Sequence, residues 1–157
     1  MDATYARPTV TELRLSAFKS HRGAAFPLAP LTLFTGASGS GKTSALQVYE
    51  ALARLGAGDE LGEVFDDPGS CVPERACADA QGRRGFRIGC TVDGPAGPVH
   101  LDLAVQAEPE LRVVGERLTA DGQLLLSTAL RDPARRTVQA AWHTAGAVPV
   151  TRAPLPD

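Results

Sequence analysis

From Thr9 onward apolar side chains fall at Val10, Leu13, Leu15 and Phe18, and the alternation at Leu13 and Leu15 predicts a half-buried strand. A polar turn, Lys19-Ser20-His21-Arg22-Gly23, follows it. Pro27 and Pro30 then bracket a short connection, and Leu31-Thr32-Leu33-Phe34-Thr35 reads as a buried strand. After a glycine-rich stretch the period changes. Ala45, Leu46, Val48, Tyr49, Leu52 and Leu55 recur at helical spacing, and Gly56 stops the helix. Asp59 to Phe65 fits a short helix closed by Asp67-Pro68-Gly69, and Val72 to Gln81 a weak one. From residue 85 the pattern is one of strands, over 86–92, 99–105, 111–118, 123–130 and 137–143. Asp93-Gly94-Pro95, Glu108-Pro109, Asp121-Gly122 and Asp132-Pro133 separate them. Spacing this close predicts antiparallel hairpins.

Residues 1–8 read as a loose tail, 9–148 as one lobe and 149–157 as a Pro-rich tail. Within the lobe, 31–55 hold the second strand, the glycine-rich loop and the helix, and 85–144 the β-rich region. At 157 residues, 43% apolar and 22% charged, the composition is that of a globular domain. The net charge of −2 is spread along the chain, so nucleic-acid binding, though possible, gains no support from bulk charge. No apolar run approaches the roughly 18 residues of a membrane span, and the first residues carry no signal-peptide pattern. The expected location is cytoplasmic. Cys71, Cys77 and Cys90 lack the spacing of a zinc knuckle and are expected to be buried or free thiols in a reducing compartment.

The chemistry lies between the second strand and the helix. Gly36-Ala37-Ser38-Gly39-Ser40-Gly41-Lys42-Thr43 fits G-x-x-x-x-G-K-[ST] at every fixed position. Glycines let successive N–H groups turn inward as a nest for phosphate oxygens, and the following helix adds the positive end of its dipole. Lys42 supplies a compact cation for the β- and γ-phosphates, the Thr43 hydroxyl a ligand for Mg²⁺, and Ser44 continues the loop into the helix. Of 16 basic residues only Lys19 and Lys42 are lysine. In so arginine-biased a chain, each surviving lysine hints at a place where arginine will not serve. The cofactors expected are ATP and Mg²⁺.

Leu13-Arg14-Leu15-Ser16-Ala17-Phe18-Lys19-Ser20-His21, followed by Leu31-Thr32-Leu33-Phe34-Thr35-Gly36, resembles the start of the ATPase heads of the SMC and RecF group and of AAA-annotated ATPases in the same ABC-like branch. The resemblance covers residues 9–55. It implies an α/β fold class: the N-terminal portion of a P-loop NTPase, strand–P-loop–helix, with an antiparallel β-subdomain. In those heads the turn after the first strand lies against the nucleotide, which implies that Lys19 and Ser20 approach the phosphates or ribose.

A complete head of this kind also carries a Walker B run, a signature loop and a switch histidine. Val64-Phe65-Asp66-Asp67 has too few apolar residues for Walker B and reads as an acidic turn. Leu126-Ser127-Thr128 lacks the glycine pair of a signature loop, and neither Gln123 nor Gln139 has a Q-loop motif around it. No catalytic residue is assigned. The expectation is an incomplete head that binds Mg-ATP and hydrolyses it only when a C-terminal lobe or second ATPase subunit completes it. Two alternatives stand beside it: a self-contained P-loop kinase or GTPase, and a non-catalytic nucleotide sensor.

Overall fold

The computed structural model describes residues 9–19, 21–36, 42–73, 76–129, 137–142 and 150–154. Among these residues eight strands lie in one sheet: β1 (Thr9–Phe18), β2 (His21–Pro27), β3 (Arg84–Gly94), β4 (Gly97–Glu108), β5 (Arg112–Ala120), β6 (Gln123–Ala129), β7 (Thr137–Trp142) and β8 (Val150–Pro154). Their order across the sheet is β2-β1-β3-β4-β5-β6-β7-β8, and every neighbouring pair is antiparallel. Between β2 and β3 the described residues form two helices, α1 (Lys42–Gly56) and α2 (Leu61–Val64), and a 3₁₀ turn (Pro68–Cys71). Among the described residues no helix is long and apolar enough to cross a membrane.

Local chemistry accounts for the meander. Asp121 and Gly122 both take positive φ, 51° and 71°, between the paired Ala120 and Gln123. That is the geometry a two-residue Asp-Gly hairpin turn requires. Connections this short join antiparallel neighbours, whereas parallel strands need crossovers of a dozen residues or more.

The core forms where one face of the sheet meets the helical segment. Leu15 and Phe18 of β1, Phe86 and Ile88 of β3 and Leu103 and Val105 of β4 pack with Val48 and Ala51 of α1, Phe65, Cys71 and Val72. Three phenylalanines sit at its centre: the Phe86 ring is edge-on to Phe18 and to Phe65, each at 5.2 Å between centroids. On α1, Ala45, Val48 and Ala51 are buried while Leu46 and Tyr49 face outward.

The expected α/β arrangement is not what forms. Residues 31–35, read as a buried strand leading into the phosphate loop, belong to no strand, and Leu31 and Leu33 are 91% and 84% exposed. A parallel core strand needs neighbours on both edges and cover on both faces. The sheet is antiparallel throughout, so no strand–loop–helix unit of the α/β type is present among the described residues. Two other elements differ from expectation. β2 occupies the stretch read as a turn and connection, and β8 falls within the expected Pro-rich tail. The described part of the weak helix read over 72–81 is not helical.

Close approach of two backbones fixes one glycine. A Cβ on Gly85 would lie 2.2 Å from the Val105 carbonyl oxygen and 3.1 Å from the Gln106 Cα, beside the register shift between Arg84 and Gly85. Both neighbours are main chain and cannot swing aside. Gly85→Ala is expected to destabilise the fold by about 1–3 kcal/mol. Gly23→Ala, with nothing within 4 Å, should be neutral or slightly stabilising. Urea denaturation of the two variants checks this, and equal midpoints would show that β3 and β4 are not so closely apposed.

Candidate functional site

α1 begins at Lys42, so the helix opens at the last residues of the G-x-x-x-x-G-K-T segment. Its first turn holds no acidic residue, which leaves the positive end of the dipole without a competing carboxylate. Thr43 is exposed there, and Ser44 is buried among the described residues. Gly36, at φ 153°, marks the other end of the loop in a conformation that favours glycine. Ala37, Ser38, Gly39, Ser40 and Gly41, and likewise Ser20, lie outside the described residues, as does the side chain of Lys42.

Lys19 takes a left-handed backbone conformation, φ 52°, uncommon for a residue other than glycine. Its N–H donates to the Cys71 carbonyl oxygen at 2.7 Å, which ties the β1–β2 turn to the 3₁₀ turn. The Lys19 ammonium stands 5.9 Å from the centre of the Phe18 ring. Lys19 and Gln47, four residues beyond Thr43 on α1, line one cavity of about 200 Å³ with Glu50, Asp66, Asp67 and Ser70. The structure therefore sets the two sequence candidates Lys19 and α1 side by side, and Asp66 and Asp67 line the same space. Gln47 and Glu50 were not anticipated. The available signal was their position on α1, about one and two turns beyond Thr43.

No group of three or more His, Cys, Asp or Glu side chains able to hold a metal occurs among the described residues. The donor set expected for Mg²⁺ is thus the Thr43 hydroxyl, the only one assigned. This suits an ion that keeps several waters and takes most of its remaining ligands from bound phosphates.

Cys71 and Cys90 are buried free thiols, and Cys77 is an exposed one. Burial pushes the Cys71 thiol up, with Lys19 opposing, and burial likewise pushes up Cys90 with Arg14 opposing. Both are held in the thiol form, which disfavours a nucleophilic role.

The opposite face of the sheet carries a separate polar cluster around Arg14. Its guanidinium donates to Glu12 at 2.7 Å, to Asp102 at 3.2 Å, to the Thr91 hydroxyl at 2.6 Å, and to the carbonyl oxygens of Cys90 and Leu101. Burial alone would pull the Arg14 pKa down, but the hydrogen bonds it donates to Glu12 and Asp102 raise it above the ordinary arginine value. With its donors engaged, Arg14 is a structural cation. A Cβ on Gly89 would lie 2.4 Å from the Asp102 carboxylate, so glycine there leaves room for the pair.

No family model, curated protein or solved structure matches the chain. The chemistry rests on its own residues.

Proposed function

We propose that the chain binds Mg-ATP through Gly36–Thr43, and that it belongs with ATPase heads of the SMC and RecF type. The observation that carries the binding reading is the complete G-x-x-x-x-G-K-T segment running into a helix whose first turn has no acidic residue. Lys42 serves as the cation for the β- and γ-phosphates and Thr43 as the hydroxyl ligand for Mg²⁺. When bound, Mg²⁺ would neutralise phosphate charge.

Binding and hydrolysis separate in this reading. The loop and Lys42 hold the triphosphate, but orienting an attacking water needs a carboxylate placed beyond the γ-phosphate. Asp66 and Asp67 share a cavity with Lys19 and Gln47, yet no Walker B strand carries them. Interactions that favour ground and transition states equally do not speed the chemical step. The 157-residue chain is therefore expected to bind Mg-ATP with negligible turnover until a C-terminal lobe or second ATPase subunit supplies Walker B and a signature loop. Calorimetric titration with Mg-ATP tests binding. Phosphate release, with Lys42→Ala as blank, tests catalysis. Steady turnover lost on Asp66→Asn or Asp67→Asn would overturn the division and make the chain a self-contained enzyme.

Lys19 is assigned to the phosphate side of the same site. Its constrained backbone and its place beside α1 support this. Lys19→Ala is expected to weaken ATP by about 0.5–2 kcal/mol and adenosine hardly at all, because only the former offers charge to an ammonium. Competition binding with both ligands decides it: equal losses would return Lys19 to a turn stabilised only by its main chain.

A further inference from the structure

On the sheet face turned away from the helices, strand register aligns two rows of side chains. One row runs Arg14, Gly89, Asp102, Arg117 and Ser127, and the next runs Ser16, Arg87, Ala104 and Gly115. Gly89, Ala104, Gly115 and Ser127 put little bulk between the charged positions, and a hollow of about 650 Å³ lies over them. Most arginines around it are matched by carboxylates: Arg14 by Glu12 and Asp102, Arg83 by Asp79 and Arg84 by Glu108. Arg87 and Arg117 are not. Both are exposed and line the hollow, and among the described residues neither guanidinium has a hydrogen bond or an ion pair. Glu116 also borders the hollow, but alternation along β5 turns its side chain to the face that Leu103 shares.

We propose that this face docks a helix of a partner protein that carries two carboxylates, two turns apart, on one side. Charge sets the sign of the occupant, because Arg87 and Arg117 are left unmatched while Arg14 is already neutralised. Geometry sets its form. Arg87 and Arg117 lie two strands apart across the sheet and two residues apart along it, about 12 Å between Cα atoms. Residues i and i+7 of a helix lie on one side of it, about 10.5 Å apart, within reach of two arginine side chains. The floor strands already use their main chain in the sheet ladder, so an extended peptide laid over them would leave its own N–H and C=O groups facing none. A helix satisfies its own, and Gly89, Ala104 and Gly115 let it approach closely. Asp102 selects against a nucleic acid. It stands beside Arg117 in the same row, where a continuous chain of phosphates would meet its charge, whereas a helix presents carboxylates at single positions. A second copy of this chain brings the same unmatched guanidiniums and is repelled. The inference is independent of nucleotide binding.

Fluorescence anisotropy with the full chain, without nucleotide, tests it on three labelled alanine-rich helical peptides. One carries Glu at positions i and i+7, one the same two Glu at i and i+2 on opposite sides of the helix, and one Gln in their place. The i, i+7 peptide is expected to bind about three-fold or more tighter than the Gln peptide, with the i, i+2 peptide between them. Arg87→Gln and Arg117→Gln should each weaken the i, i+7 peptide about two- to five-fold and leave the Gln peptide unaffected. Both side chains are exposed and unmatched, so circular dichroism should be unchanged. Glu and Gln peptides that bind alike, no binding by any of the three, or an affinity indifferent to both substitutions would each overturn the proposal. A single-stranded oligonucleotide that displaces the peptide and itself loses affinity in both variants would make a phosphate chain the occupant and overturn the helix.

Discussion

Lys42→Ala is expected to cost about 2–5 kcal/mol of Mg-ATP affinity, a loss of roughly thirty-fold to several thousand-fold, while the fold persists. The nest of N–H groups and the helix dipole together supply partial charges, and Lys42 supplies the one full charge assigned to the phosphates. Without it, phosphate oxygens that have left water face an uncompensated charge. The substitution also tells the ammonium apart from the helix. Alanine keeps or improves helix propensity at this position, so α1 should remain. Titration calorimetry measures the affinity and far-ultraviolet circular dichroism the helix. Unchanged affinity would remove the phosphate-loop assignment, and with it the ATP reading.

Phe18→Ala is expected to destabilise the fold by about 3–5 kcal/mol, a large share of the roughly 5–15 kcal/mol that holds a domain of this size together. Phe18 is among the largest fully buried side chains, and its ring completes the edge-on trio with Phe86 and Phe65. Truncation leaves a cavity between the sheet and the helical segment, where Val48 and Ala51 of α1 also pack. Leu33→Ala is the matched control, since its side chain is already in water and should cost little. Urea denaturation compares the two. Similar midpoints would mean that the core does not centre on the three rings.

The parts of this fold that were legible in the sequence are those set by local chemistry. The alternation at Leu13 and Leu15 marked β1, the Asp121-Gly122 pair demanded a hairpin turn, and the helical spacing of Ala45, Leu46, Val48, Tyr49, Leu52 and Leu55 marked α1, although Leu46 and Tyr49 face outward. The segment 31–35 has the composition of a buried strand, but composition states only what a residue can do if neighbours arrive. No strand reaches it among the described residues, so tertiary context decided against the pattern. β2 was missed for the opposite reason. His21-Arg22-Gly23-Ala24-Ala25 has little strand propensity, and pairing with β1 imposes the conformation. At the candidate site, the motif gave the loop and Lys42 directly, whereas the placement of Gln47, Asp66 and Asp67 around Lys19 depends on the 3₁₀ turn folding back to accept the Lys19 N–H. No short-range pattern encodes that contact.

The Arg14 cluster bears on the order in which the molecule can be assembled. Its bonds to Thr91, Cys90, Asp102 and Leu101 join residues 76 to 88 positions apart, among the longest loops the described fold has to close. Contacts so distant in sequence carry a larger entropy of closure than the hairpins of β3 to β6, which need only turns. The guanidinium can find all its acceptors only after β3 and β4 are already side by side, presenting two carbonyl oxygens and a carboxylate together. Arg14 therefore acts as a latch that the meander must first build a seat for. The N-terminal hairpin, which carries the Lys19 turn, is thereby pinned to the meander through Arg14.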